Sequence, residues 1–254
     1  MFVVTADQVG SRTDIDRSAA MQRELQERFG RRLRLPLDQT SGDELQALTD
    51  DPATALDLVL AFGRDGHWSV GLGLGDVRLP LPDAVRKAAG GAFIAAREAV
   101  EAAKRADGRF ALRAATPPAR PADATASDDS AQAAAAQATT AVLTAPELEP
   151  LIRLLLLVRD RRSPQGWEAI DLVRDGHSQK HAAAILGISD AAVSQRLKAA
   201  VWSVDDEARP GLVRLLAELD RATDAARATG DAAPSDAAGA TRAGARPDHD
   251  RGDR

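Results

Sequence analysis

Apolar residues within residues 1–113 recur with two periods, an alternating one that predicts strands and a helical one that predicts amphipathic helices. The predicted elements are, in chain order, a strand at 2–6, a helix at 14–29, a hairpin of strands at 32–39 and 44–48, a helix at 51–62, a strand at 67–75, a helix at 81–105 and a short strand at 109–113. This order is typical of a ferredoxin-like antiparallel sheet with its helices on one face. The pattern therefore predicts an α+β N-terminal domain.

The second half of the chain shows only helical spacing. Residues 167–202 predict three short helices, with one leucine-rich helix before them at 146–160 and another after them at 208–222. Gly176 and Gly187 end the first two short helices, a position where glycine is common. This part predicts a separate all-α domain.

Two stretches lack the large apolar residues that a core requires. The first is rich in alanine and broken by prolines, and the second has a similar composition. We therefore predict a ferredoxin-like domain at 1–113, a disordered linker at 114–140, an all-α domain at 141–222 and a disordered tail at 223–254.

Composition narrows the class of protein. The net charge of -5 argues against a surface that is basic throughout, but it leaves room for a local basic patch. The chain has no cysteine, and no run reaches the roughly 18 apolar residues of a membrane span. These features predict a cytoplasmic protein without a membrane partner.

The segment TSGDELQAL at 40–48 places acidic residues in the predicted hairpin turn. In a ferredoxin-like sheet the first strand lies beside this hairpin, which brings Asp7 near Asp43 and Glu44. Three carboxylates offer the oxygen ligands that Mg²⁺ prefers, and Mg²⁺ commonly binds together with the phosphates of a nucleotide. The alternative is an ordinary turn in which Ser, Gly and Asp only satisfy the backbone.

Residues 1–113 resemble the SatD family in four motifs: ADQVGSR at 6–12, SGDELQAL at 41–48, GLGLGDV at 71–77 and GGAFIAAREAVEAA at 90–103. The Gly-Asp-Glu hairpin is also similar to that of nucleotide cyclase and GGDEF palm domains, in which a strand-one Asp and a hairpin acid hold the metal. The resemblance implies a palm-like fold and a candidate site for Mg²⁺ with a nucleotide. The candidate metal or nucleotide residues are Asp7, Ser11, Arg12, Asp43, Glu44 and Arg97.

Three glycines, Gly71, Gly73 and Gly75, alternate along the predicted strand at 67–75 and so share one face of it. Such a stripe lets either a helix or a ligand approach the strand closely. Helix packing is the interpretation that we favour.

The segment QKHAAAILGISDAAVSQRLKAA at 179–200 has the small, glycine and apolar residues of a helix-turn-helix at Ala183, Gly187 and Val193. It is similar to the sigma-factor region-four, LuxR and MarR types of this motif. Ser189 is placed to cap the last helix of the motif. The resemblance implies double-stranded DNA as the partner, and a trihelical protein-interaction module is the alternative.

If this last helix enters the major groove, its outward side chains contact DNA. Gln195 suits adenine, whereas Gln179 and Lys180 suit phosphates. Between residues 151 and 203, eight Lys/Arg outnumber five Asp/Glu, which is consistent with a local positive face. The predicted DNA-binding residues are Gln179, Lys180, Ser189, Asp190, Ala191, Ser194, Gln195, Arg196 and Lys198.

Two further patterns bear on partners. His177 and His181 have the spacing of a zinc pair, but no third ligand is nearby in the sequence, which favours a surface role. Because helix-turn-helix proteins commonly bind two half-sites, the leucine-rich helices at 146–160 and 208–222 predict either a homodimer interface or packing within their own domain.

Three functions are consistent with these patterns. One is a DNA-binding transcriptional regulator whose N-terminal domain senses a ligand, with a nucleotide as the candidate, or oligomerises. A second is a metal-dependent, cyclase- or palm-like enzyme of nucleotide chemistry with an attached helix-turn-helix. A structural module that docks on another protein is a third.

Overall fold

The computed structural model describes residues 1–11, 15–40, 42–115 and 143–231. It is an α+β structure, and these residues contain five strands and eight α-helices. The strands are β1 (Phe2–Gln8), β2 (Asp38–Gln39), β3 (Glu44–Thr49), β4 (Trp68–Leu74) and β5 (Phe110–Ala114). The helices are α1 (Ser18–Phe29), α2 (Pro52–Asp65), α3 (Gly91–Ala103), α4 (Ala145–Asp160), α5 (Pro164–Arg174), α6 (Gln179–Leu186), α7 (Asp190–Ala199) and α8 (Trp202–Asp231).

The five strands form one mixed sheet in the order β2-β3-β1-β4-β5. Strand β1 lies at the centre and runs antiparallel to both β3 and β4, while β5 runs parallel to β4 at the edge. The short strand predicted at 109–113 is therefore present. Helix α3 connects β4 to β5, as a parallel pair requires a crossover.

Two predicted elements differ from the structure. The strand predicted at 32–39 is reduced to β2, because a 3₁₀ turn occupies Gly30–Arg32 and proline at position 36 cannot donate to a ladder. The helix predicted from residue 81 begins only at Gly91. There the carboxylate of Asp76 accepts a hydrogen bond from the Gly91 amide at 3.2 Å, so a residue outside the helix caps its first turn.

The sheet carries helices on both faces, whereas the sequence predicted them on one. The side chains of Phe2, Val4 and Leu72 belong to a core shared with α1, α2, α4 and α8. The opposite face packs on α3, and there Gly71 and Gly73 lie so close to the helix that a Cβ on either would overlap its backbone. The prediction that the glycine stripe serves helix packing is confirmed.

The largest core does not divide at the predicted linker. Leu148, Ile152 and Leu156 of α4, with Leu212 and Leu216 of α8, are buried in the same cluster as the sheet. The leucine-rich helices thus pack on the α2 face of the sheet. Neither packing within an isolated C-terminal domain nor a dimer interface accounts for these buried leucines.

The C-terminal helix α8 is 30 residues long and extends past the predicted start of the tail at 223. Residues past 222 have contacts of their own: the Thr223 hydroxyl donates to the Leu219 carbonyl at 2.8 Å, and the Arg227 guanidinium lies 4.0 Å from the carboxylate of Asp76. The rest of the predicted tail and most of the predicted linker lie outside the described residues. Within the described residues, no helix is long and apolar enough to cross a membrane.

Candidate nucleic-acid interface

The acidic hairpin lies beside β1, as the sequence predicts. Asp7 on β1 is in register with Glu44 on β3 and with Ser69 on β4, so these three side chains share one face of the sheet. Asp43 occupies the turn before β3, next to Gly42, whose φ of 56° is the left-handed conformation that glycine tolerates. The fold therefore brings Asp7 and Glu44 together at the hairpin.

Each of these two carboxylates has a partner within the protein. The ammonium of Lys104 lies 3.1 Å from the carboxylate of Asp7 and 2.7 Å from that of Glu101. The Thr40 hydroxyl donates to Glu44 at 2.5 Å. The hydrogen bond to Glu101 and the contact with Asp7 raise the pKa of Lys104, although its partial burial acts in the opposite direction.

The remaining candidates of this site are dispersed. Ser11 is half-buried in the turn after β1, Arg12 lies outside the described residues, and Arg97 is exposed on α3. The basic group beside Asp7 is Lys104, which the sequence analysis missed even though it follows Arg97 by seven residues, two helical turns. In the described part of the chain, no group of three or more His, Cys, Asp or Glu side chains could hold a metal ion.

Helices α6 and α7 are joined by a tight turn with the backbone geometry that the sequence predicts. Gly187 ends α6 in the left-handed conformation with φ 66°, and the Ile188 amide donates to the Ala183 carbonyl at 3.1 Å. Ser178 and Ser189 cap the two helices, each accepting a backbone amide hydrogen bond at 3.2 Å. These local bonds fix where α6 ends and α7 begins.

Helices α5, α6 and α7 enclose a small core of their own. Ala182, Ala183, Val193 and Leu197 are buried there together with Ile170. The small side chains on α6 allow the close helix crossing that the sequence predicts. Because the inward face of α7 is set by Val193 and Leu197, its opposite face is directed to solvent.

The predicted DNA-binding residues lie on this outward face of α7, at its N-cap Ser189 and at the start of α6. Eight of the nine are exposed: Gln179, Lys180, Ser189, Asp190, Ala191, Ser194, Gln195 and Lys198. Arg196 is half-buried and lies 3.5 Å from Glu168 of α5. Ala191, Ser194, Gln195 and Lys198 have the spacing of one continuous helix stripe.

Arg161 is a further basic residue beside this stripe and is not among the DNA-binding residues predicted from the sequence. It is exposed and lines a cavity of about 370 Å³ together with Ser163, Gln195 and Arg196. It precedes α5 by three residues and comes next to α7 only through the packing of the three helices. The signal in the sequence was the local Lys/Arg excess, which does not say which residues face α7.

A buried ionic cluster attaches the α5–α7 unit to α4 and α8. The guanidinium groups of Arg159 and Arg162 lie 2.8 Å and 2.7 Å from the carboxylate of Asp205, and all three side chains are buried. Burial lowers the pKa of Arg159 to about 10, and the charge of Asp205 opposes this effect. Both guanidinium groups also stack on Trp167 of α5, with ring distances of 5.0 Å and 4.8 Å.

A second link joins the unit to the sheet domain. Arg64 at the end of α2 forms two hydrogen bonds of 2.6 Å with Asp171 on α5, and it also lies over the Trp167 ring at 4.3 Å. The α5–α7 unit is thus fixed to the rest of the fold at several points.

The rings of His177 and His181, which have the spacing of a zinc pair in the sequence, stack on each other with 4.8 Å between their centroids.

Comparisons with known proteins return no family model, no curated protein and no solved structure that matches this chain. The fold and the site themselves define the class: an α+β chain in which a five-stranded mixed sheet shares its core with two helices that hold a trihelical unit.

Proposed function

We propose that the protein is a DNA-binding transcriptional regulator in which α6 and α7 form a helix-turn-helix and α7 enters the major groove of double-stranded DNA. The observation that carries the proposal is the division of α7 into two faces. Val193 and Leu197 anchor it inward, while Ser194, Gln195 and Lys198 form an exposed stripe. A recognition helix needs this combination of a rigid seat and free polar side chains.

The side chains of the stripe have the chemistry for two kinds of contact. Gln195 offers a donor and an acceptor for the N7 and N6 edge of adenine. Lys180, Lys198 and Arg161 supply positive charge for phosphates, which position the protein without reading sequence. We therefore assign base recognition to Gln195 with Ser194, and phosphate binding to the lysines and Arg161.

For the N-terminal part we propose a ferredoxin-like, SatD-like domain that senses a ligand or mediates oligomerisation. The order β2-β3-β1-β4, with α1 and α2 on one face, supports the ferredoxin-like assignment. The shared core gives such a domain a direct mechanical connection to the DNA-binding helices. A nucleotide remains the candidate ligand of this domain.

Among the residues that the structure describes, no specific contact favours the palm-like enzyme over the regulator. That alternative requires the carboxylates of Asp7, Asp43 and Glu44 to be available to a metal ion. The carboxylate of Asp7 faces an ammonium at 3.1 Å instead, and Glu44 accepts a hydrogen bond from Thr40. The regulator is the better supported proposal.

A binding-site selection tests the proposal. The full chain is mixed with random duplex DNA at a fixed salt concentration, and bound sequences are recovered and enriched over several rounds. We expect a short common motif, because base contacts by a recognition helix are each worth about 1–3 kcal/mol of discrimination. Recovery of unrelated sequences after all rounds would contradict sequence-specific binding.

A pair of variants separates phosphate contacts from a general effect of charge. Lys180→Ala is expected to weaken binding to all duplexes. It is also expected to reduce the slope of log K against log salt concentration by about one, the value for one phosphate contact. Arg97→Ala removes the same charge from the exposed surface of α3, on the other side of the sheet, and is expected to leave binding unchanged. Equal losses in both variants would show that only net charge matters.

A further inference from the structure

Exposed apolar side chains are concentrated in one groove between α4 and α8. Among the described residues, nine large apolar side chains are exposed, and five of them line this groove. Leu154 and Val204 are each 60% exposed. The five are Leu151, Leu154, Val158, Val201 and Val204. A contiguous apolar face of this kind marks an interaction surface.

The lining of the groove follows a heptad-like spacing on both helices. On α4 the outward positions are 151, 154 and 158. Position 201 immediately precedes α8, and on α8 the positions are 204, 208, 211 and 215. Spacings of three and four residues produce the seam with which helices pair. The large leucines on the inner side of the same helices fill the core, and Leu215 packs against its edge. The exposed apolar positions of the seam are therefore additional to what the fold uses.

In the middle of the α8 seam, small residues would allow another helix to approach the α8 backbone closely. Positions 208 and 211 are alanine and glycine, and a Cβ placed on Gly211 would meet no atom within 4 Å. Glycine inside a helix costs about 1 kcal/mol relative to alanine, and nothing inside this chain uses the space that it leaves. The backbone of α8 is therefore accessible to another helix at this point.

Charges beside the seam match a second copy of the same chain. Glu207 and Arg214 each precede a seam position, are both exposed, and lie on either side of Pro210 and Gly211. If two α8 helices cross antiparallel about a two-fold axis near Gly211, Glu207 of each copy faces Arg214 of the other. A self-complementary pattern of this kind is what an isologous dimer requires.

We propose that the groove between α4 and α8 is a homodimer interface, in which the α8 helices of two copies pair antiparallel across Gly211. The one ionised residue lining the groove in the described chain is Asp205, whose carboxylate is buried against Arg159 and Arg162. A partner that fits this groove must therefore have an apolar surface with charges of both signs at its rim. The groove of a second copy of this chain is such a surface. The dimer does not depend on DNA binding.

Sedimentation equilibrium of the full chain without DNA tests the proposal across a wide range of protein concentrations. We expect a mass that rises with concentration from 26.8 kDa to twice that value. Val204→Glu places a charge in the seam at a position that is exposed in the single copy, so it is expected to keep the fold and abolish the dimer. Ile94→Glu, at a position on α3 that is 62% exposed, is the matched control and is expected to leave the dimer intact.

Charge exchange tests the antiparallel pairing. Glu207→Arg and Arg214→Glu, each alone, are expected to weaken the dimer by about tenfold or more, because like charges then face each other twice per dimer. The double variant restores opposite charges and is expected to recover the wild-type affinity. Circular dichroism confirms that each variant is folded.

Three results would overturn the proposal: a wild-type protein that stays at 26.8 kDa at every concentration, a Val204→Glu variant that still dimerises, or a double charge exchange that does not rescue the single ones. None of these results bears on DNA binding, which is measured separately. Failure of the dimer and failure of the proposed regulator are therefore distinguishable.

Discussion

In the acidic hairpin, the fold turns Asp7 toward Lys104 and Glu44 toward Thr40, whereas on α7 it leaves Ser194 and Gln195 exposed to solvent. Both regions carry a short motif that suggested a ligand. In the first, long-range packing supplies Asp7 with a partner, and the hairpin itself supplies one for Glu44. In the second, local capping bonds and a small core hold the motif rigid but leave its polar side chains available. The two regions thus differ in whether the fold leaves the polar groups of the motif available to a ligand.

The largest effect is expected where the α5–α7 unit is attached to the sheet domain. Asp205→Ala leaves Arg159 and Arg162 buried without their shared counter-ion, so we expect unfolding to become easier by about 3–5 kcal/mol. Urea unfolding measures this loss. Asp206→Ala, at the adjacent exposed position, is the control and is expected to change stability by less than about 0.5 kcal/mol. Equal effects would show that the ionic cluster does not hold the unit in place.

A smaller effect is expected in β4, which β1 separates from the hairpin. Gly73→Ala places a Cβ against the backbone of α3 around Ala96, and this overpacking is expected to cost about 1–3 kcal/mol in chemical unfolding. The overlap is with backbone atoms, so adding Ala96→Gly is not expected to recover the loss. Recovery in that double variant would show that side chains, and not the close backbone approach, set the packing of α3.

The N-caps of α2 and α7 are expected to respond differently to pH. Asp51 caps α2 and Ser189 caps α7, and each substitution by alanine is expected to cost about 1 kcal/mol near neutral pH. Partial burial acts to raise the pKa of Asp51, but hydrogen bonds from Thr54 and Ala53 outweigh it, and the pKa is lowered from 3.8. Its contribution is therefore complete above that value and lost as the pH falls through the lower folded-state pKa.

This difference is tested by unfolding the wild-type protein and both cap variants at neutral and at strongly acidic pH. The cost of Asp51→Ala is expected to shrink in acid, because the wild-type carboxyl is then protonated. The cost of Ser189→Ala is expected to stay constant, since the hydroxyl does not titrate in this range. A cost of Asp51→Ala that is the same at both pH values would contradict a charged cap.

The smallest effect is expected at the ion pair between Lys104 and Asp7, the β1 residue beside the hairpin. Lys104 and Asp7 are both partly exposed, so Lys104→Met is expected to cost at most about 1 kcal/mol in thermal unfolding. Arg97→Met on the same helix is the exposed control. A loss of stability as large as that of Asp205→Ala would contradict this expectation. It would mean that the Lys104–Asp7 pair contributes as much to stability as the buried ionic cluster.

The sequence predicted most of the local structure and less of the tertiary structure. Apolar spacing located β1, β4 and α2, and capping residues located both ends of the turn between α6 and α7. The predicted start of α3 was wrong because the residue that caps it, Asp76, lies 15 positions before Gly91 in the sequence. The pairing of Asp7 with Lys104, the position of Arg161 beside α7 and the shared core of α4 and α8 depend on contacts between distant residues, which a periodic pattern does not encode.

The most direct test of DNA reading by α7 is the affinity of the wild-type protein and of Gln195→Ala for a selected duplex and for copies with single base-pair changes. The measurement is fluorescence anisotropy at one fixed salt concentration. We predict that Gln195→Ala weakens binding to the selected duplex by about 1–3 kcal/mol and removes discrimination at one base pair only. Binding of the wild-type protein to all these duplexes with equal affinity, or an unchanged base preference in the variant, would contradict this prediction.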